Sequence, residues 1–284
     1  MINTPTTTFP DTGLDPEVCR RARLSRDARF DGAFYLAVRT TGIYCRPICP
    51  ARAPAEKNVR YFPSAALAAQ AGFRPCLRCR PESAPYSPAW NGTSTTVRRA
   101  LQLLSQGALN AGSLADLASR LGIGERYLRK LFQRELGVSP QALALNQRLL
   151  FAKKLLAETS LPVTDVAFAA GFGSVRRFNS AVQKQFRMPP SALRIRRRTA
   201  NASVQLQLHD RPPYDWEGVV NFFARHAIAG VETVSPSGYR RNLMLAGAPG
   251  SVEVNPVAGQ DALRLTLQLP DHSLLMPVVS NVRR

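Results

Sequence analysis

Four cysteines in two close pairs constrain the fold of this chain more than any other feature. Cys45 and Cys49 are four residues apart, Cys76 and Cys79 are three apart, and 26 residues lie between the pairs. In a reducing cytoplasm this spacing is typical of one four-thiolate zinc site, because each pair supplies two ligands from one tight turn. We therefore predict a single Zn²⁺ with four cysteine ligands. Cys19 has no partner at such a spacing, and we expect it to fill a small apolar space in a helix.

Arginines surround the predicted zinc site, and a β-rich run, FYLAVRTTGIYC, leads directly into its first cysteine. The nearby arginines are Arg46, Arg52, Arg74, Arg78 and Arg80. Four thiolates on one Zn²⁺ leave a net charge of about −2, and the metal keeps the sulfurs deprotonated at neutral pH. Such a cluster is nucleophilic, and arginines around it would attract a phosphate backbone. Spacing alone favours a structural zinc ion. A zinc-bound thiolate that reacts with a substrate is the alternative.

The net charge of +19 is concentrated in the middle of the chain. Residues 1–94 carry 13 basic and 7 acidic side chains, residues 95–200 carry 18 and 5, and residues 201–284 carry 7 of each. A surplus of this size on a domain of about a hundred residues is typical of a surface that binds phosphates. The alternative is a basic surface that only keeps the protein in solution. We predict nucleic-acid binding by the middle region.

An internal repeat occupies that basic region. The segment 113–140, SLADLASRLGIGERYLRKLFQRELGVSP, recurs as 162–190, PVTDVAFAAGFGSVRRFNSAVQKQFRMPP. Each copy predicts a short helix, a turn with glycine and a second amphipathic helix, which is a helix-turn-helix motif. The intervening run PQALALNQRLLFAKKLLAE predicts one rigid spacer helix. Two recognition helices on one spacer can enter successive major grooves of double-stranded DNA without dimerisation.

The apolar periodicity divides each second helix into a core face and an outer face. We predict that Leu114, Leu117, Leu121, Leu128, Leu131, Phe132 and Leu136 form the core of the first copy, and Val166, Phe178, Val182 and Phe186 that of the second. The outer residues are the predicted DNA contacts, together with Arg46 and Arg52: Arg126, Tyr127, Arg129, Lys130, Arg134, Ser174, Arg176, Arg177, Asn179, Gln183 and Lys184. The alternative is a helical bundle with a solvated basic face.

The neutral last region has a different pattern. SVQLQLHD, VETVSPSGYRRNLML, GSVEVNPVAG and ALRLTLQLP predict antiparallel strands, and DWEGVVNFFARHAIAG predicts one amphipathic helix that ends at Gly230. The whole chain is therefore expected to be a multidomain α+β protein. It has a small four-cysteine zinc α/β domain, an all-α double helix-turn-helix and a small antiparallel-sheet α+β domain.

Residues 30–82 resemble the N-terminal zinc domain of Ada-type DNA methylphosphotriester sensors. The resemblance lies in TTGIYCRP, CPAR, KNVR and GFRPC followed by RCRP. In that family all four cysteines bind zinc, and the first takes a methyl group irreversibly from a methylated backbone phosphate. The resemblance implies that Cys45 is the acceptor in a single-turnover methyltransferase, with Cys49, Cys76 and Cys79 as the other ligands.

Such a reaction could switch the DNA affinity of the protein, because it changes the charge of the zinc–thiolate cluster. A methylphosphotriester is neutral, so it can approach an anionic thiolate cluster that repels an ordinary phosphodiester. Methylation changes the cluster from about −2 to about −1. At a separation of about 6 Å and an effective dielectric constant of about 20, one unit charge is worth on the order of 3 kcal/mol before screening. That is enough for a change of tens- to hundreds-fold in DNA affinity. The alternative is a repressor with purely structural zinc.

Two further resemblances cover the rest of the chain. Residues 97–198 resemble the AraC-type DNA-binding region, and VTDVAFAAGFGSVRRFNSAVQKQFRMPPSALR is similar to its C-terminal signature. One departure is Arg187, which stands where the first copy has Gly137, the expected left-handed helix cap. RPPYDWEGVVNFFARHAIAGVE and SGYRRNL resemble the N-terminal domain of AlkA-type 3-methyladenine DNA glycosylases.

In the glycosylase family the catalytic helix-hairpin-helix lies downstream, and this sequence stops where that part should begin. We therefore expect a truncated domain without glycosylase activity, and assign no catalytic role to Asp210, Asp215, Asp261 or Asp271. The PCHRV motif of O6-alkylguanine methyltransferases does not occur in the sequence. A base-excision glycosylase fusion without its catalytic half is the alternative function.

The predicted organisation is 1–85 zinc-binding methyl-acceptor domain, 86–96 linker, 97–198 double helix-turn-helix domain, and 199–284 AlkA-N-like domain. With half of its partner surface missing, the last domain is expected to be the least stable and to expose Leu274, Leu275, Met276, Val278 and Val279. No apolar run reaches the roughly 18 residues of a membrane span, and no signal peptide pattern is present. We expect a cytoplasmic monomer that binds methylated and promoter DNA and contacts RNA polymerase.

Overall fold

The structure, a computed structural model, describes residues 15–81, 84, 95–194, 203–210 and 212–283. Most of the predicted linker, 86–96, lies outside these residues, and its last two residues begin a helix. The predicted boundary at 198 also lies outside them. Among the described residues, no helix combines the length and apolarity that crossing a bilayer requires.

The first region is a four-stranded sheet with one helix before it and one inserted between its strands. Helix α1 (Pro16–Ser25) is followed by strands β1 (Tyr35–Val38), β2 (Ile43–Cys45) and β3 (Val59–Phe62), helix α2 (Ala65–Gln70) and strand β4 (Arg74–Pro75). The strand order is β3-β1-β2-β4, with β2 and β4 parallel. Cys19 on α1 is buried against Ala22 and Phe34, which confirms the expectation of an apolar filler.

The second region is all helical, as the repeat predicted. Its helices are α3 (Thr95–Ser105), α4 (Leu114–Arg120), α5 (Glu125–Leu136), α6 (Pro140–Glu158), α7 (Val163–Ala169), α8 (Val175–Phe186) and α9 (Pro190–Leu193). Helix α6 coincides with the predicted spacer: the Ser139 hydroxyl caps its N-terminus and proline occupies its first turn. The predicted core residues of both copies are buried, apart from Leu121 and Leu136, which are partly buried.

The two recognition helices, α5 and α8, end in the same way despite different residues. Gly137 has φ of 68° and donates its N–H to the Gln133 carbonyl. Arg187 has φ of 59° and donates its N–H to the Gln183 carbonyl. The left-handed cap is therefore kept in the second copy, at a cost of about 1 kcal/mol for a side chain in this conformation.

The third region is a five-stranded antiparallel sheet with two helices. It contains β5 (Val204–His209), α10 (Trp216–His226), β6 (Glu232–Ser235), β7 (Gly238–Leu245), β8 (Ala248–Pro256), β9 (Ala262–Gln268) and α11 (Leu275–Val282). The strand order is β5-β9-β8-β7-β6. Helix α10 ends at His226, four residues before the predicted end at Gly230, which lies in the following turn.

The prediction of an exposed apolar C-terminal segment is wrong. Leu275, Met276, Val278 and Val279 are buried, and Leu274 is partly buried. Helix α11 packs on α3 and joins the hydrophobic core of the second helix-turn-helix copy. The segment is covered by the helical region of the same chain, which the local sequence pattern does not reveal.

Two large cores cross the predicted domain boundaries and share helix α6. The first joins the sheet and α2 of the first region to α3, α4 and α5, and includes Leu143 of α6. The second joins α7 and α8 to β5, β8, β9 and α11, and includes Leu155 of α6. The two ends of α6 thus lie in different cores, so this helix connects all three regions.

Candidate metal centre

The sheet of the first region brings the two cysteine pairs together. Cys45 ends β2, and Cys76 follows β4 directly. The parallel register places Tyr44 opposite Pro75, and the Cys76 N–H donates to the Tyr44 carbonyl at 2.9 Å. Each strand then turns sharply, which brings Cys49 and Cys79 back toward the first two cysteines. The pairing of β2 with β4 is therefore what closes the four-cysteine site.

The four sulfurs fit one tetrahedral Zn²⁺. They all lie within 4.8 Å of one another, and the four cysteines are each only 6–9% exposed. A Zn–S bond of about 2.3 Å requires sulfurs about 3.8 Å apart in a tetrahedron, which this cluster meets with little adjustment. The predicted cofactor is confirmed as one Zn²⁺ with cysteine ligands, Cys45, Cys49, Cys76 and Cys79.

The chemistry of the donor set also calls for a cation. Hydrogen bonds with Cys49, Cys76 and Cys79, together with burial, raise the pKa of the Cys45 thiol far above its ordinary value. Four buried sulfurs at this distance cannot all carry a negative charge on their own. A divalent metal supplies the compensating charge and holds all four as thiolates.

Arg46 does not lie where a DNA contact requires it, which corrects the prediction for this residue. The side chain is 2% exposed, and its guanidinium forms an ion pair with the buried carboxylate of Asp31. It also donates to the Cys79 carbonyl at 3.0 Å. The Arg46 backbone N–H points at the Cys79 sulfur, 3.3 Å away. Arg46 therefore stabilises the metal centre through buried contacts. Arg52, in contrast, is exposed on the surface.

The loop after the first cysteine pair is held by the N-terminal helix of its own region. Arg23 of α1 is buried and donates to the Pro54 carbonyl at 3.2 Å, and it forms an ion pair with Glu56. Arg26, just past α1, donates to the Pro50 and Ala51 carbonyls at 3.5 and 3.4 Å. These bonds tie the chain that follows Cys49 to α1.

The second cysteine pair is held by the spacer helix α6. Lys153 is 3% exposed and donates to the Cys76 carbonyl at 2.9 Å. Arg80, next to Cys79, forms an ion pair with Glu158 at 2.7 Å. Lys154 pairs with the same Glu158 carboxylate at 2.9 Å. Burial lowers the pKa of Lys154 to about 8, and Glu158 is the main group that opposes this shift.

The predicted DNA-contacting residues of the helical region lie on the outer faces of α5 and α8. Ten of them are exposed: Arg126, Tyr127, Arg129, Lys130, Arg134, Arg176, Arg177, Asn179, Gln183 and Lys184. Ser174 is partly buried, and its hydroxyl caps α8 by accepting the Arg177 N–H. Arg129 is paired with Glu125 on its own helix. Their individual roles on DNA stay predictions.

Sequence reasoning missed the residues that support the centre: Asp31, Lys153 and Glu158. Asp31 lies inside the Ada-like segment, so its position offered a weak signal. The adjacent lysines in FAKKLLAE also gave a weak signal, because they interrupt the apolar run LLFAKKLLA near the end of α6. On sequence alone, however, Lys154 and Glu158 look like an ordinary solvated pair four residues apart.

Comparison with known proteins divides the chain into the same three parts. The family model for the metal binding domain of Ada matches residues 18–82. A helix-turn-helix domain model matches residues 117–196, and the AlkA N-terminal domain model matches residues 205–284. The matches follow the order zinc domain, helical region and antiparallel sheet described above.

Several curated proteins are similar to this chain over part of their length. The "Probable bifunctional transcriptional activator/DNA repair enzyme AlkA" of Mycobacterium tuberculosis is 44% identical over 277 residues, 95% of this chain and 55% of that protein. The "Bifunctional transcriptional activator/DNA repair enzyme Ada" of Escherichia coli is 40% identical over 119 residues, 42% of this chain and 32% of that protein.

A solved structure, the refined DNA methyl phosphotriester repair domain of Escherichia coli Ada, is 42% identical. It covers 28% of this chain and 80% of that chain, with a TM-score of 0.23. This chain spans about half the length of the first curated relatives that it matches, 55% of the AlkA protein and 53% of a Salmonella typhimurium Ada. The family models that match the chain show an Ada-type zinc-binding domain, an AraC-type helix-turn-helix region and an AlkA N-terminal domain, joined in that order.

Proposed function

We propose that this chain is a sensor of DNA alkylation damage that takes one methyl group from a DNA methylphosphotriester onto Cys45 and then activates repair genes. The observation that carries this proposal is the cluster of four cysteine sulfurs within 4.8 Å, joined in one chain to two exposed recognition helices. Both curated relatives described above carry names that combine transcription activation with DNA repair, which supports the combination.

The resemblance to the metal binding domain of Ada favours Cys45 as the acceptor, since it is the first of the four clustered cysteines in the matched segment. The Arg46 backbone N–H donates to the Cys79 sulfur at 3.3 Å, so Cys79 is a hydrogen-bonded ligand. A hydrogen bond stabilises a thiolate and lowers its basicity, and nucleophilicity falls with basicity. The Cys45 sulfur lies within 4.8 Å of the other three sulfurs, where a bound Zn²⁺ would hold it as a thiolate. When Zn²⁺ is bound, its role is to keep the thiols deprotonated at neutral pH.

The transfer is a displacement at the methyl carbon. A lone pair of the Cys45 sulfur forms the new S–C bond while the C–O bond of the ester breaks, and the bonding electrons leave with the phosphate oxygen. The products are a methyl thioether at Cys45 and an ordinary phosphodiester anion. The cluster changes from about −2 to about −1, so its repulsion of the ordinary phosphodiester groups of DNA falls by about half. Because the thioether is stable, each chain reacts once.

The two recognition helices then serve promoter binding. The exposed basic residues of α5 and α8 are joined through the rigid spacer α6, so one chain can contact two segments of major groove as a monomer. Arg52 is exposed in the loop after Cys49, and we expect it to contact the DNA backbone near the metal centre. We place the reaction in the cytoplasm, where DNA and reducing conditions occur together, and RNA polymerase is the expected partner for activation.

The alternative function is base excision, as part of a 3-methyladenine DNA glycosylase. The match of residues 205–284 to the AlkA N-terminal domain favours it. Release of methyladenine from alkylated DNA by these 284 residues would show that the sensor function is not a complete account. The sensor function proposed above predicts no release of methyladenine.

The experiment is a methyl-transfer assay on DNA that carries labelled methylphosphotriesters. The wild-type chain should gain one methyl group, about 14 Da, and fragmentation of the peptide that holds both Cys45 and Cys49 should place it on Cys45. Cys45→Ala should take up no label. Cys19→Ala is the matched control, since this buried thiol lies outside the cluster and its loss should leave methyl uptake unchanged. Uptake by Cys45→Ala, or label on another cysteine of the wild type, would refute the assignment.

A further inference from the structure

The turn that carries Cys76 and Cys79, residues 76–80, is called the ligand turn below. Helix α6 of the helical region contacts it at both ends. At its start, the Lys153 ammonium donates to the Cys76 carbonyl at 2.9 Å. At its end, Arg80 pairs with Glu158 at 2.7 Å. Lys153 and Glu158 lie five residues apart near the end of α6 and are both buried. Two contacts at the two ends of a five-residue turn fix its position and its orientation.

The same carboxylate also reaches the third region. Glu158 accepts the Gln207 N–H of β5 at 2.8 Å through its second oxygen. Lys154, paired with Glu158, donates to the Gln207 carbonyl. One buried side chain thus contacts the ligand turn of the first region, the spacer of the second and the sheet of the third. A shift of the ligand turn cannot leave these contacts unchanged.

The charges around the ligand turn balance those of the metal centre. The charged side chains that make ion pairs or hydrogen bonds at or beside it include Arg46, Arg80, Lys153, Lys154, Asp31 and Glu158. Positive charge is in surplus among them, and it is favourable beside the net charge of about −2 on a Zn²⁺ with four thiolates. A metal-free turn with protonated thiols would leave this surplus uncompensated in a buried place, which is unfavourable.

We propose that Lys153 and Glu158 are positioning residues of the metal centre, and that through them Zn²⁺ occupancy is coupled to the order of α6. Because α6 joins the two helix-turn-helix copies, its order sets how the two recognition helices are held. Binding of Zn²⁺ orders the end of α6, and by reciprocity an ordered α6 strengthens Zn²⁺ binding. The coupling rests on the metal site alone; only its use after methyl transfer rests on the proposed function.

The first test measures Zn²⁺ affinity by chelator competition on the full chain. Lys153→Met keeps the length of the side chain but removes the donor to the Cys76 carbonyl and its charge. Loss of a residue that orients a metal ligand typically weakens metal binding by about 10–100-fold, and we expect a change in this range. Lys57→Met is the control, since Lys57 is exposed in the same region and the change removes an equal charge.

Cobalt(II) substitution gives a readout that a general loss of stability would not produce. In Lys153→Met the thiolate-to-metal absorption of the Co²⁺ form should shift, because the Cys76 ligand is no longer held in place. In Lys57→Met it should match that of the wild type. Wild-type Zn²⁺ affinity together with an unchanged Co²⁺ spectrum in Lys153→Met would overturn the proposal.

The second test needs no variant, so it decides the matter even if Lys153→Met does not fold. Amide hydrogen exchange of the wild type is compared with and without Zn²⁺. Removal of the metal should reduce protection by at least about tenfold in the last two turns of α6 and in β5, and should leave α10 unchanged. Equal protection of α6 in both states would overturn the coupling. Neither test depends on methyl uptake, so failure of the methyl-transfer assay alone would refute the proposed function and leave the coupling intact.

Discussion

The two cysteine pairs of the metal centre are supported in opposite ways. The loop after Cys49 is tied to α1 of its own region, through the buried Arg23 and the exposed Arg26. The turn of Cys76 and Cys79 is tied to α6 of the helical region, through buried charged groups. The acceptor proposed here, Cys45, belongs to the locally supported pair. The reacting sulfur and the link to the DNA-binding helices thus lie on opposite halves of one site.

The electrostatic character of the two supports differs as well. Glu56, the acidic partner of Arg23, has a side chain that is 44% exposed, whereas that of Glu158 is 5% exposed. Water can solvate Glu56, which has one arginine partner, whereas the buried Glu158 is shared by Arg80 and Lys154, so loss of Glu158 leaves two cations without their anion. The second pair should therefore be the more sensitive half, and the following predictions test that difference.

The largest effect is expected from Glu158→Gln. The change leaves Arg80 and Lys154 as neighbouring cations without their shared anion, and breaking a buried pair in this way costs about 3–5 kcal/mol. The midpoint of urea unfolding of the Zn²⁺-loaded chain measures it. Glu56→Gln is the matched control in the first half, where a smaller loss of about 1 kcal/mol is expected because Glu56 is partly solvated and Arg23 keeps its bond to the Pro54 carbonyl. Equal losses for the two variants would remove the distinction between the halves.

A smaller effect is expected from Arg23→Met. The variant leaves the Pro54 carbonyl without its donor in a partly buried place, which costs about 1–3 kcal/mol. It should also slow methyl uptake at Cys45, because the loop beside the acceptor is loosened, while protection of α6 from hydrogen exchange stays at the wild-type level. Loss of α6 protection in this variant would show that the two halves are not independently supported.

The smallest effect concerns pH. Burial, together with the positive charges of Arg46, Lys154 and Arg283, lowers the pKa of His209 on β5 to about 4 from an ordinary value of 6.5, with Glu158 acting in the opposite direction. The unfolded chain therefore takes up this proton at a higher pH than the folded chain, and the free energy of unfolding falls as pH drops from about 6.5 to about 4. His209→Gln should reduce that fall, measured as the difference in unfolding midpoint between about pH 7 and about pH 5. His226→Gln on exposed α10 should not.

The sequence predicted local features of the fold well, for identifiable reasons. The spacing of the four cysteines identified the metal site, because two close cysteine pairs in a reducing environment are typical of a zinc site. The run PQALALNQRLLFAKKLLAE, predicted as a spacer helix, coincides with α6, whose start Ser139 caps. The outer faces of α5 and α8 followed from helical periodicity, since Leu128 and Phe178 mark the buried side of each helix.

Contacts between distant parts of the chain could not be predicted in the same way. Arg46 looked like a surface arginine because its partner, Asp31, lies in a different turn and no local pattern pairs them. Lys153 meets Cys76 across 77 positions of sequence. Leu275 is buried in the core of the second helix-turn-helix copy, and Met276 contacts Asn110, 166 positions earlier in the sequence. These features decide how the metal centre is connected to the rest of the molecule, and they required the folded chain.

The most direct test of the account compares the DNA affinity of the same chain before and after methylation. Wild-type protein is reacted with methylphosphotriester DNA, purified, and titrated against one promoter duplex at a fixed salt concentration, since salt changes such affinities strongly. The account predicts that the methylated chain binds tens- to hundreds-fold more tightly, on the order of 3 kcal/mol, because one negative charge has left the cluster. Equal affinity of a chain that carries its methyl group on Cys45 and one that does not would contradict it.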